Sequence, residues 1–260
     1  MSGHGASATS GAWRSGVVRQ KLTVAGLAAR LEHRLHAPEV DDDAIRRGCA
    51  YAVEVGMPVV LCRPEHVEVA AQATAGTPVQ VGTALAFHQL PATPPRSADS
   101  YAEEAATYVS WGASDIGLIA DADDVSTRGL DGFASRVAAV RSTVLPAGGK
   151  VRVLLNTTGM SLPDVRVTCE QLAGAGAWLV QGGTFLGDRV GLPEIVEMRE
   201  ALGPKVLLKW TNPLRSVESI LVCLAEGVDR FNGNPPALLR AARVATRYEP
   251  IDIPLKGVDY

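Results

Sequence analysis

The sequence predicts a single-domain α/β protein of the (β/α)8 TIM-barrel class, on three observations. Short β-branched runs alternate with helical stretches from about residue 22 to about residue 247, the pattern of parallel strands joined by crossover helices. Eight such runs occur, at 31–35, 58–62, 79–87, 115–120, 151–155, 178–181, 206–210 and 229–232. The length of 260 residues is close to the roughly 250 of a barrel of this kind folded as one domain.

The elements justify themselves in order along the chain. Residues 1–20, rich in Gly, Ser and Ala, are expected as a mobile tail ahead of the first strand. After that strand, Asp41, Asp42 and Asp43 offer side-chain acceptors to the free amides of a first helical turn, and Gly56 offers the left-handed stop. Ser97 and Asp99 open a helix ending at Gly112, ahead of the fourth strand. Pro163 and Asp164 open one ending near Gly174, ahead of the sixth, and Ser216 opens one ending at Gly227, ahead of the eighth. The barrel is thus expected over residues 21–250, with 251–260 as a C-terminal tail.

Composition narrows the function. A formal charge of -3 without any block of like charges argues against a nucleic-acid or membrane-surface partner and points to a small molecule. Cys49, Cys62, Cys169 and Cys223 show no C-x-x-C spacing, as expected of reduced thiols in a cytoplasmic protein rather than a disulfide framework or a zinc site. The first twenty residues lack the continuous apolar core of a signal peptide, and no apolar run reaches the length of a membrane span. His33 and His36 form an H-x-x-H, but three positions along a strand point to opposite faces, so no metal is expected there. No cofactor is expected either.

In a barrel of this type the reacting groups lie at the carboxyl ends of the strands. That rule selects Glu32, Arg34, Asp121, Asn156, Gln181, Thr184, Lys209, Thr211, Asn232 and Asn234, against the plainer alternative that each caps a loop. Lys209 stands out. It lies in Val206-Leu207-Leu208-Lys209-Trp210-Thr211, in a chain with only five lysines against twenty arginines. A desolvated amine gives up its proton more readily, and a neutral amine attacks carbonyls to form a Schiff base. The plainer alternative is a stem that packs while its head reaches water. Strand alternation puts Leu207, Lys209 and Thr211 on one face, and Gly117, Ile119 and Asp121 on one face of theirs.

The segments Leu31-Glu32-His33-Arg34-Leu35, Pro58-Val59-Val60-Leu61-Cys62-Arg63-Pro64, Gly112-Ala113-Ser114-Asp115-Ile116-Gly117, Gly174-Ala175-Gly176-Ala177-Trp178-Leu179-Val180-Gln181 and residues 206–215, taken in order, resemble the class I deoxyribose-phosphate aldolase family over nearly the whole chain after the tail. The resemblance implies the barrel fold and carbonyl chemistry. In that family a sixth-strand lysine in a K-T-S-T-G context forms the Schiff base, a second lysine on the seventh strand lowers its pKa, and a fourth-strand aspartate relays protons. Here the first position is Gln181, followed by Gly182-Gly183-Thr184-Phe185, the aspartate position is Gly117, and the seventh-strand lysine is kept as Lys209. Glu32 and Arg34 replace the family's aspartate and threonine on the first strand, whereas Cys62 and Thr184 match it. The glycine-rich phosphate turns become Thr211-Asn212-Pro213 and Asn232-Gly233-Asn234-Pro235-Pro236. Proline has no amide proton to give a phosphate, so deoxyribose 5-phosphate is not the expected substrate. The final Tyr260 matches the terminal tyrosine that the family often carries.

Three readings stay open. In the first, a lyase of specialised metabolism cleaves or forms a carbon–carbon bond in a small polyfunctional carbonyl compound. Lys209 is then the Schiff-base amine, kept neutral by burial alone, and Asp121 or Glu32 moves the protons. In the second, a dehydratase, cyclase or isomerase uses Lys209 as an ammonium, with Gln181, Asn156, Asn232 and Asn234 on substrate oxygens. In the third, the chain is a non-catalytic homologue. Thr184, Thr211, Arg34 and Cys62 complete the expected substrate contacts, and a homodimer is expected by analogy.

Overall fold

The computed structural model describes residues 20–89, 96–120, 124–126, 129–183, 191–211 and 216–253. The chain opens with β1 (Lys21–Leu22) and α1 (Val24–Ala28), then alternates β2 (His33–Leu35), α2 (Asp42–Val55), β3 (Val59–Cys62), α3 (Val67–Thr74), β4 (Gln80–Ala84), α4 (Ala98–Ser110), β5 (Asp115–Ala120) and α5 (Leu130–Val144). It continues with β6 (Lys150–Leu155), α6 (Leu162–Gly174), β7 (Leu179–Gly182), α7 (Leu192–Leu202), β8 (Leu207–Trp210), α8 (Val217–Ala225), β9 (Arg230–Phe231), α9 (Pro235–Ala245) and β10 (Ile251–Asp252). Strands β2 to β9 form one parallel sheet in sequence order. A parallel bridge between Leu31 and Phe231 joins its two ends, and Glu32 N donates to Phe231 O at 3.1 Å. The eight-stranded parallel α/β architecture is the one the sequence predicts.

Caps account for the helix boundaries. Asp41 accepts from Ala44 N at 2.8 Å to start α2, and Gly56 ends it at φ 78. Ser97 and Ser216 cap α4 and α8 in the same way. For α6 the cap is Ser161, with Pro163 and Asp164 inside the first turn. Two differences from expectation have local causes. The 79–87 strand stops at Ala84, because the Ala86 amide is drawn to the Glu104 carboxylate at 3.1 Å and the chain turns at Ala86, φ 53. Residues 251–252, expected as tail, pair antiparallel with Lys21–Leu22, and Ile253 N donates to Gln20 O at 2.8 Å.

The apolar core lies between sheet and helices. On β6, Val151, Val153 and Leu155 are buried in that layer, each burial contributing about 1.5–3 kcal/mol. Arg152 and Leu154 alternate with them and point into the barrel, where they line a cavity. On β8 the same alternation buries Leu208 and Trp210 outward and turns Lys209 inward. A Cβ on Gly182 would press on Met198 Sδ and lie 3.0 Å from Trp210 Cζ3, so a side chain here would require the Met198 end to move.

Candidate active site

A cavity of about 680 Å³ opens at the carboxyl ends of the strands. Arg152, Lys209, Gln181, Thr83 and Asn232 supply its polar lining, while Leu61, Phe87, Ile119, Val125, Leu154 and Met160 make apolar walls and Arg34 and His36 stand at the β2 side. The period-two expectation holds where it can be read: Lys209 with Thr211, and Gly117 with Ile119, share the cavity face.

Beneath the lining four charged side chains from four strands meet inside the barrel. Arg152 reaches Asp115 Oδ1 with Nε at 2.7 Å and Glu32 with Nη1 and Nη2 at 2.7 and 3.1 Å. Lys209 Nζ contacts Glu32 Oε2. Relative exposures are 1% for Glu32, 0% for Asp115, 2% for Arg152 and 0% for Lys209, so water does not screen the group. Buried ions persist only when paired and hydrogen-bonded. Two carboxylates balance two cations here, and the cluster is neutral while Lys209 keeps its proton.

The asymmetry of these contacts sets the acidities. Burial pushes the Glu32 carboxyl upward, but Arg152 and Lys209, both in contact with it, overcome this and hold it at about 2. Among the described residues Lys209 touches one anion, Glu32. Burial draws its ammonium down, the Arg152 guanidinium repels it further, and Glu32 restores part, leaving it lowered to about 8. Burial alone was the sequence expectation; a second cation adds to it. Arg152, between Asp115 and Glu32, is raised against its own burial and stays charged. Burial pushes the Cys62 thiol to about 12, and its Sγ faces Gly82 O at 3.9 Å, so it lines the cavity as a neutral thiol.

The cavity brings together most of the residues expected there. Gln181 is the register partner of Lys209 on the next strand, buried, with no hydrogen bond among the described residues. Asn232 is buried, and its Oδ1 has no partner among the described residues. Asn156 Oδ1 accepts from Thr158 N at 3.1 Å, and Thr211 Oγ1 donates to Gly182 O at 2.8 Å. Arg34 lies exposed at the mouth and Cys62 in the wall. Asn234 does not belong to this group. It is exposed and spends its Oδ1 on Ala237 N at 3.2 Å as the cap of α9, because an Asn directly before Pro235 is the ordinary start of a helix. Asp121, Thr184, Pro213 and Tyr260 lie outside the described residues. His33 packs edge-on against Tyr51 of α2 while His36 lines the cavity against Phe87, so the H-x-x-H is split. Sequence reasoning missed Asp115, Arg152 and Thr83, whose buried Oγ1 is unpartnered in the lining. Arg152 carried the same signal as Lys209, a charge inside a β-branched run.

Fold and cavity together define a parallel β/α barrel with a cavity of small-molecule size over a buried lysine. No family model matches the chain. A deoxyribose-phosphate aldolase of Mycobacterium avium is 31% identical over 216 residues, covering 80% of this chain and 93% of that one. One from Clostridium perfringens is 24% identical over 226 residues, 84% and 96% of the two chains. The deoxyribose-phosphate aldolase of Aeropyrum pernix, described as a unique tetramer, superposes with a TM-score of 0.72 at 15% identity over 87% of this chain and 93% of that one, a likeness of fold. The chain belongs to the deoxyribose-phosphate aldolase family, and these relatives support an enzyme of the lyase type. Within it, a Cβ at position 117 would lie 3.1 Å from Leu154 Cδ1, so that leucine would have to give by a few tenths of an ångström to admit one. Among the described residues no helix is long and apolar enough to cross a membrane.

Proposed function

We propose that the protein is an aldolase-type carbon–carbon lyase for a small polyfunctional carbonyl compound, with Lys209 as the Schiff-base amine. One observation supports this most: a fully buried lysine lines the cavity with its amine lowered to about 8, so that roughly a tenth is neutral at pH 7. The neutral amine adds to the carbonyl carbon, and the carbinolamine takes up a proton and loses water to give the iminium. As the substrate's β-hydroxyl gives up its proton, the iminium takes up the electrons of the breaking carbon–carbon bond, leaving an enamine and a released carbonyl. The charge balance favours this. With ammonium or iminium the four-residue cluster is neutral, and with free amine it carries one excess negative charge, so Glu32 stabilises the iminium over the free amine. Glu32 itself, held at about 2, acts by charge and position rather than as the proton carrier its place in the sequence suggests. In this proposal Asp121 serves the enamine protons, while Gln181, Asn156, Thr211 and Asn232 hold substrate oxygens.

The Glu32–Lys209 ion pair favours a second reading, in which the ammonium persists and polarises a substrate oxygen for dehydration, cyclisation or isomerisation. Lys209→Arg separates the two, since it keeps the charge but cannot form an imine. Residual turnover in Lys209→Arg supports the second reading, and loss in both Lys209→Arg and Lys209→Met supports the first. We further propose that Gln181 and Gly117 stand at the family's catalytic positions, that deoxyribose 5-phosphate is not the substrate and that the role lies in specialised metabolism; Pro235, which opens α9 without an amide proton, supports this. Rapid retro-aldol cleavage of deoxyribose 5-phosphate by the purified protein would overturn this. A cytoplasmic homodimer remains part of the proposal, and sedimentation equilibrium checks the dimer.

A further inference from the structure

Arg34, His36, Arg152 and Lys209 line the cavity, and among the described residues no aspartate or glutamate does. Inside the barrel this imbalance is cancelled from behind, because Asp115 and Glu32 meet Arg152 and Lys209. Among the described residues at the mouth it is not. Arg34 is exposed and makes neither an ion pair nor a hydrogen bond among the described residues. Arg63, at the end of the neighbouring strand, shows the contrast: its Nε lies 2.7 Å from Glu65 and its guanidinium 5.6 Å from the centre of the Phe87 ring. His36, two residues beyond Arg34, is held below its ordinary pKa by burial and then by the positive charges of Arg34, Lys209 and Arg63.

We infer that Arg34 is an anion subsite of this cavity and that the substrate is an oxo acid, with its carbonyl at Lys209 and its carboxylate at Arg34. The inference rests on Lys209 being the carbonyl-facing group proposed above. Glu32, which holds Lys209, and Arg34 are two residues apart in extended chain, hence on one face and about 6–7 Å apart along the strand. That spacing, with the reach of the arginine stem, suits two or three methylenes between carbonyl and carboxylate. The walls of Leu61, Ile119 and Leu154 match such a chain. A carboxylate fits the guanidinium fork in a bidentate pair and answers one unpaired cation with one negative charge. A phosphate dianion would call for more donors, and α9 begins with Pro235 and Pro236, which have no amide proton, while Asn234 already occupies the amide of Ala237.

The test is calorimetric binding of 4-oxopentanoate, 5-oxohexanoate, their methyl esters and 3-oxobutyl phosphate to the wild-type protein and to Arg34→Gln, an exposed substitution. The acids are expected to bind more tightly than their esters by about tenfold or more, the weight of a charge-assisted hydrogen bond. Arg34→Gln should erase that preference and leave ester affinity unchanged. Esters that bind as well as acids, or a preference that survives in Arg34→Gln, overturn the subsite. Phosphate binding tighter than both acids in an Arg34-dependent way overturns the carboxylate assignment. Borohydride reduction of the same complexes reads Lys209 separately. Acid-selective binding without an adduct keeps the subsite and removes the amine chemistry, whereas adducts without charge preference do the reverse.

Discussion

Glu32→Gln strikes the group that holds both buried cations. Its carboxyl lies at about 2 in the fold against an ordinary 4.5, which at about 1.4 kcal/mol per pKa unit is a stabilisation of about 3 kcal/mol. Removing one partner of a buried ion pair costs about 3–5 kcal/mol in general, in agreement. Because the folded pKa is depressed, this stability is fully present above about pH 4.5 and is lost as pH falls through about 2. Urea unfolding followed by tryptophan fluorescence should find the variant less stable by about 3 kcal/mol at pH 7, with the gap narrowing steadily below pH 4.5. Without Glu32, burial and Arg152 act on Lys209 with only the more distant Asp115 charge against them, so its amine should titrate below the present value of about 8. A variant as stable as wild type at neutral pH, or a gap indifferent to pH, would refute this account of the cluster.

Asp115→Asn leaves Arg152 with one buried carboxylate instead of two and should cost about 3–5 kcal/mol in the same unfolding assay. Lys209→Met should keep the fold by circular dichroism, since Glu32 retains Arg152, and should lose turnover on any substrate the wild type accepts; full activity would remove Lys209 from the mechanism. Asn234→Ala should lower stability by about 1 kcal/mol through the lost helix cap, with ligand affinity in the cavity unchanged, and a large affinity loss would return Asn234 to the site.

What could be read from the sequence was mostly local. Asp41 and Gly56 mark both ends of α2 because the cap acceptor and the left-handed stop are properties of those residues. Lys209 was legible for the same reason, as a charge in an apolar run. The end of β4 was not, since it depends on Glu104, eighteen positions away on α4. Nor could the ion pair of Lys209 be found: Glu32 lies 177 positions away and meets it only when the barrel closes. Asn234 was misread because proximity to a strand end outweighed the more local signal of Asn before Pro-Pro.

The most direct measurement is borohydride trapping of the wild-type protein with a panel of small aldehydes and ketones, mapped by peptide mass spectrometry across pH. The account predicts a single reduced adduct on Lys209, absent from Lys209→Met, with a yield that rises with pH through about 8 as the buried ammonium loses its proton. Absence of any adduct across that range, or adducts confined to Lys21, Lys150, Lys205 and Lys256, would contradict it.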